Sequence, residues 1–189
     1  MDRTCGLDST RPCAIRSVTA KLVSMHPIVE RLPDLTSDRI GDLLTESEGA
    51  GLRMVRRLVD EWETGANRFD RPGEDLLGAW LDGQLVGVCG LNIDPYAGNE
   101  HTGRVRHLYV LAAFRRRGIG RRLVLQIMEA ARGRFSDLRL RTNDPAAARL
   151  YEALGFRFLP DSSDCTHTAK PATPREGALR SGEPSQEDR

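Results

Sequence analysis

The chain has 189 residues, a length that holds one globular domain with tails but not two comfortable cores. Its 28 basic and 27 acidic residues cancel to a formal net charge of +1, which excludes the broad positive field of a nucleic-acid or anionic-membrane binder and makes any anion site local. No run approaches the roughly 20 apolar residues of a membrane-spanning helix, so no membrane and no nucleic-acid partner is expected.

Residues 1–25 mix Asp2 and Asp8 with Arg3, Arg11 and Arg16, unlike a secretory or transit segment; a weakly structured leader and a cytoplasmic location are the expectation. The domain should run over residues 26–169. His26 to Leu35 supplies a short first strand, and Thr36, Ser37 and Asp38 are N-cap candidates for a helix with Ile40, Leu43 and Leu44 on one face. Gly49 to Gly51 interrupts it, and Leu52, Val55, Val59 and Trp62 resume helical spacing, so the segment is two helices or one kinked helix. The charged positions between, such as Arg53, Arg56 and Arg57, read as a solvated face. Leu76 to Leu81 and Gln84 to Ile93 flank the turn pair Asp82-Gly83, the signature of an antiparallel hairpin. Cys89 lies in its apolar run and reads as a buried, unreactive thiol; none of the four cysteines shows metal or redox-dithiol spacing, so no metal is expected.

Arg104 to Val110 is the next strand, followed by a helix over Gly118 to Arg132 with Ile119, Leu123 and Ile127 on one face and Gly133 as a stop. Leu138 to Thr142 is a strand that the intervening helix allows to lie parallel to Arg104–Val110. Asp144-Pro145 opens a last helix that Gly155 ends, Phe156 to Leu159 and Cys165 to Thr168 are faint strands, and residues 170–189 form a polar tail expected to be disordered.

The strand-to-helix junction Arg115-Arg116-Arg117-Gly118-Ile119-Gly120-Arg121 joins free backbone N–H groups, a helix dipole and a cluster of cations, which together make a diphosphate cradle. Glycine at 118 and 120 lets a phosphate oxygen approach the backbone. A P-loop is excluded because no Gly-Lys-Ser/Thr is present, and a dinucleotide fingerprint because GIGRRL lacks its third glycine.

From Leu108 to Gly120, LYVLAAFRRRGIG resembles the pyrophosphate-binding motif of the GNAT superfamily of N-acetyltransferases, with Arg115, Gly118 and Gly120 at its fixed positions. DPAAARLYEALGF, from Asp144 to Phe156, resembles that superfamily's second signature through Leu150, Tyr151, Gly155 and Phe156. The resemblance implies a mixed α/β (α+β) fold, with a mostly antiparallel sheet splayed between two parallel strands and flanked by helices. It also implies an acetyl- or other acyl-coenzyme A cosubstrate, whose pantetheine arm pairs with the backbone of Tyr109, Val110 and Leu111. The implied reaction is acyl transfer to a primary amine of a small molecule or peptide, with a backbone amide near Val110 or Leu111 holding the oxyanion and Tyr151 as general acid. Asn143 is a further coenzyme A contact by this resemblance. Relatives often carry a glutamate where Arg104 stands, so the base is left among Glu100, His101, His107 and water; a catalytically weak coenzyme A-binding regulatory domain is the alternative. The feeble last strand leaves both substrate closure and a homodimer open.

Overall fold

The structure is a computed structural model, and it describes residues 27–171. The expected leader and almost all of the expected tail lie outside the described residues. Seven strands form one sheet in the order β1-β2-β3-β4-β5-β7-β6. These are β1 Ile28–Arg31, β2 Asp75–Leu81, β3 Gln84–Ile93, β4 Thr102–Val110, β5 Asp137–Leu140, β6 Arg157–Phe158 and β7 His167–Ala169. The helices are α1 Ser37–Gly49, α2 Met54–Glu63, α3 Ile119–Ala130 and α4 Pro145–Glu152.

Each strand pair is antiparallel except β4 with β5, which run parallel across α3 as the crossover requires. The expected splayed, mostly antiparallel mixed sheet is thus present. Its splay has a visible cause: the parallel register holds only Thr102↔Asp137, Gly103↔Leu138 and Arg104↔Arg139, while β4 continues to Val110 and β5 stops at Leu140. Beyond Arg104, then, the edge of β4 facing β5 has no strand beside it among the described residues.

Asp82-Gly83 makes the hairpin turn, with both residues at positive φ (50° and 84°) as a tight primed turn demands. Gly51, at φ 71°, separates α1 from α2, and the chain forms two helices. Leu52 precedes the second and is exposed; Leu58, with Val55 and Val59, fills the buried face instead. The loop after α2 contributes Phe69, at 1% exposure, to the core. Gly90 makes room for it, since a Cβ there would stand 2.5 Å from the Phe69 ring.

β4 carries a bulge. Val88 pairs with Tyr109 and Gly90 with Arg106, so three residue steps on β4 oppose two on β3, and His107 sits in the bulge at φ 56°. The bulge turns Arg106, His107 and Tyr109 all toward α1 and α2: their side chains reach Glu61, Met54 and Glu46. Val110 faces the other way, toward α3 and α4, where its Cγ2 and the Leu150 Cδ2 lie 3.9 and 3.5 Å from the place of a Cβ on Gly120. Among the described residues no helix is long and apolar enough to cross a membrane.

Candidate active site

Between the end of β4 and the start of α3, a single 3-10 turn (Ala112–Phe114) leads into Arg115 to Gly118. Arg116 and Gly118 both take the left-handed conformation, at φ 65° and 79°, which aims successive N–H groups into one concavity. The first N–H of α3 to find a backbone carbonyl is that of Arg122, onto Gly118 at 3.0 Å. Those of Ile119, Gly120 and Arg121 therefore remain free at the positive end of the helix dipole. The Ile119 side chain is buried and anchors the helix start. Nothing lies within 4 Å of a Cβ position on Gly118, so its glycine answers to backbone conformation, while the room it leaves is the open mouth of the cradle. Arg116, Arg117 and Arg121 are exposed around that mouth, Arg117 lying over the Phe114 ring at 5.5 Å.

Arg115 is placed differently. Its Nε donates to the Val110 carbonyl at 2.8 Å, its guanidinium lies 5.3 Å from the Tyr109 ring, and its Nη2 stands 3.7 Å from Glu46 Oε1. It braces the end of β4 rather than facing the cradle. The same Glu46 oxygen accepts from Tyr109 O–H at 2.8 Å and from the Ala112 N–H at 2.9 Å. Glu46 thus ties α1 to the strand end that borders the gap. Sequence reading passed over Glu46 because nothing in the periodicity of α1 marks a residue whose partners lie more than sixty positions away.

Strand alternation separates the three backbone candidates on β4. Leu111 N–H donates to Val86 on β3 at 3.0 Å, and its carbonyl accepts from Phe114. The Tyr109 carbonyl also points at β3, 3.0 Å from a Cβ position on Gly87. Val110, between them, directs its N–H and C=O to the opposite edge, into the gap toward β5. Of Tyr109, Val110 and Leu111, it is Val110 that presents backbone to the gap.

Tyr151 lies on the last turn of α4 at 6% exposure, edge-on to Phe156 with ring centroids 5.5 Å apart. Gly155, at φ 94°, ends the helix and lets Phe156 N–H return to the Tyr151 carbonyl at 3.0 Å, which is why the two aromatics meet. Burial pushes the Tyr151 phenol well above its ordinary value of 10, so it is a neutral O–H donor. Asp144 caps α4 by accepting from the Ala146 N–H at 2.8 Å, and exposed Asn143 stands at the end of β5 beside the gap. Cys89 is fully buried, and burial raises its thiol pKa.

On the α2 face of the gap lies a cleft of about 380 Å³ bordered by β4 residues Arg104 to His107 and by Arg141 to Asn143 after β5. His107 is 7% exposed. Its Nδ1 stands 2.9 Å from the Met54 carbonyl, which can only accept, so Nδ1 carries the proton. Nε2 then faces Glu61 Oε2 at 3.7 Å, and neither atom has a hydrogen-bond partner. Burial pushes the His107 pKa down, with Glu61 pulling it partly back. His107 foremost, with Arg57 and Arg106 behind it, holds the Glu61 carboxyl well below the usual carboxylate range. Arg104 is buried and paired with Asp94 at 3.3 Å. Glu100 and His101 precede β4 at its opposite end, roughly 30 Å of extended chain from Val110, and Glu100 pairs with Arg71 at 3.0 Å.

Both the sequence and the fold have known relatives. The sequence model described as the "Acetyltransferase (GNAT) family" matches residues 40–156. The chain is 35% identical over 106 residues to the N-alpha-acetyltransferase RimI of Mycobacterium tuberculosis (strain ATCC 25618 / H37Rv), covering 52% of this chain and 63% of that protein. It is 36% identical over 99 residues to an aminoglycoside N(6')-acetyltransferase type 1 of Klebsiella aerogenes, covering 48% and 64%. The chain thus spans less than two thirds of the length of these curated relatives. Among solved structures, a protein of Exiguobacterium sp. 255-15 proposed to be an acetyltransferase superposes with a TM-score of 0.67 at 28% identity, covering 76% of this chain and 93% of that one. The GNAT family N-acetyltransferase YhbS of Escherichia coli, solved in complex with CoA, shares the fold at a TM-score of 0.55 and 16% identity, covering 87% and 86%. Since the family match embraces α1 through α4 and with them both walls of the gap, this chain belongs to the acetyltransferase (GNAT) family.

Proposed function

We propose that the chain moves an acetyl group from acetyl-coenzyme A to a primary amine by direct attack of the amine on the thioester. The observation that carries this reading is the coincidence of the free N–H groups of Ile119, Gly120 and Arg121 with a sheet edge left open beside Val110. Diphosphate fits the first and an extended pantetheine arm the second. The exposed Arg116, Arg117 and Arg121 supply charge around the diphosphate, and Asn143 borders the arm from β5.

In this reading the Val110 N–H donates to the oxygen that becomes negative as the C–N bond forms. Tyr151, neutral at any working pH, donates its O–H to the sulfur as the C–S bond breaks. The amine must lose a proton. Of the candidate acceptors, Glu100 and His101 lie at the wrong end of β4, whereas His107 borders the cleft. Because His107 Nε2 is buried against Glu61, the proton would reach it only through a water admitted between the two groups, and the imidazolium so formed would face a counter-charge already in place at 3.7 Å.

Thiol release from acetyl-coenzyme A in the presence of a panel of primary amines tests the reading: at least one amine should give stoichiometric thiol and an acetylated product. Tight coenzyme A binding with no turnover on any amine would instead favour a regulatory coenzyme A-binding domain.

A further inference from the structure

The cleft on the α2 face carries a charge pattern that the acyl-transfer reading alone does not use. Five arginines border it, Arg53 and Arg57 from the start of α2, Arg104 and Arg106 from β4, and Arg141 just after β5, with no aspartate or glutamate among its lining residues. Two carboxylates stand behind them. Glu61 is shared by Arg57 at 2.6 Å and Arg106 at 3.0 Å, and Asp94 serves Arg104. Arg141 donates to the Ser163 carbonyl, an acceptor without charge, and no carboxylate lies within ion-pair distance of Arg53 or Arg141 among the described residues. The cleft therefore holds more cations than its neighbours neutralise, in a chain whose formal net charge is only +1. A concave site lined by one sign of charge focuses its field on whatever enters, and arginine presents a planar fork that fits carboxylates.

The cleft is also distinct in position from the diphosphate cradle. Arg106 and His107 reach α2 through Glu61 and the Met54 carbonyl, whereas Gly120 adjoins Leu150 of α4 on the other face. The gap between β4 and β5 connects the two faces, so a nucleophile reaching the end of the gap from the α2 side passes these arginines.

Resting on the acyl-transfer reading, we propose that the acceptor is an amine bearing carboxylates close to the nucleophilic nitrogen, of the size of an amino-dicarboxylate or the first residues of an acidic peptide. Arg53 and Arg141, on opposite walls of the cleft and both exposed, select it. A polycation such as an aminoglycoside is repelled by the same field.

The test compares kcat/KM for two tetrapeptide amides sharing one nucleophile, Ala-Asp-Glu-Asp and Ala-Arg-Arg-Arg, with free glutamate and an aminoglycoside as further arms. The wild type should favour the acidic peptide by at least about tenfold at low salt, with the margin shrinking as salt rises. The pair of reversals Arg53→Glu and Arg141→Glu should erase it, leaving acetyl-coenzyme A affinity unchanged. Turnover of glutamate beside the peptide would point to a small-molecule acceptor, turnover of the peptide alone to a protein N-terminus. Equal or better turnover of the basic peptide or the aminoglycoside overturns the proposal while keeping the acyltransferase. Weaker acetyl-coenzyme A binding in the double variant also overturns it, by assigning the arginines to the cosubstrate. If no acceptor turns over, calorimetry of the N-acetylated acidic peptide against the coenzyme A-loaded protein decides, and absence of binding overturns it.

Discussion

Tyr151 and His107 show how burial sets the chemistry a side chain can offer. With its pKa driven upward by burial, Tyr151 is a neutral O–H donor, and in the proposed reaction it would give a hydrogen bond to the departing thiolate rather than serve as base. Tyr151→Phe keeps the ring against Phe156 and removes only the O–H. It should lower kcat by about 10² with little change in acetyl-coenzyme A affinity, read by thiol release beside calorimetry; an unaltered kcat would remove the assignment. His107 shifts in the opposite sense, since burial disfavours its charged form. Its folded-state value lies below the ordinary 6.5, so the neutral, proton-accepting form survives as pH falls through 6.5 and is lost only beneath it. The acid limb of kcat/KM should accordingly fall below the ordinary imidazole range, and His107→Gln should abolish that limb rather than merely scale the rate. The same shift bears on stability: the unfolded chain takes up the proton at higher pH than the folded one, so the neutral state's contribution is present above 6.5 and declines as pH drops below it.

Among the elements, the hairpin, α3, α4 and the parallel pair were legible because each rests on a local signal: Asp82-Gly83, the spacing of Ile119, Leu123 and Ile127, Asp144-Pro145, and a helix between two strands. The turn proposed as the cradle was legible as a local feature for the same reason, its glycines and arginines being contiguous, and its free N–H groups at the start of α3 follow from that turn. What local signals missed is set by tertiary partners. The bulge at His107 follows from pairing with β3, Phe69 looks like a loop residue until Gly90 is placed beneath it, Glu46 on α1 carries no local mark, and Glu61 on α2 falls among charged positions that read as a solvated helix face. Arg115 shows the limit from the other side, because its place in the motif is contiguous but its guanidinium turns to Val110 and Glu46. The Phe69–Gly90 contact can be tested directly. Gly90→Ala should reduce unfolding free energy by about 1–3 kcal/mol through overpacking, as measured by denaturant unfolding. Combined with Phe69→Leu, it should cost less than the sum of the two single changes, because the shortened side chain vacates the space the new methyl needs. Strict additivity would show that the close approach is relieved elsewhere.

At the scale of the molecule, one sheet divides the labour between its faces. The start of α3 carries the proposed diphosphate cradle and α4 carries Tyr151, while α1 and α2 brace the end of β4 and wall the cleft through which an acceptor would come. Both depend on β4 outrunning β5 by several residues, which leaves Val110 exposed to the gap. Family membership follows from the shared frame; the proposed substrate preference rests on the cleft arginines. Calorimetric titration of acetyl-coenzyme A into the wild type and into Gly118→Val examines the frame most directly. At φ 79° a β-branched side chain is strained and would displace the cradle N–H groups. The wild type should bind with a roughly micromolar dissociation constant, and Gly118→Val, with circular dichroism unchanged, should bind at least about tenfold more weakly. No heat with the wild type, or equal affinity in a folded Gly118→Val, would contradict the account.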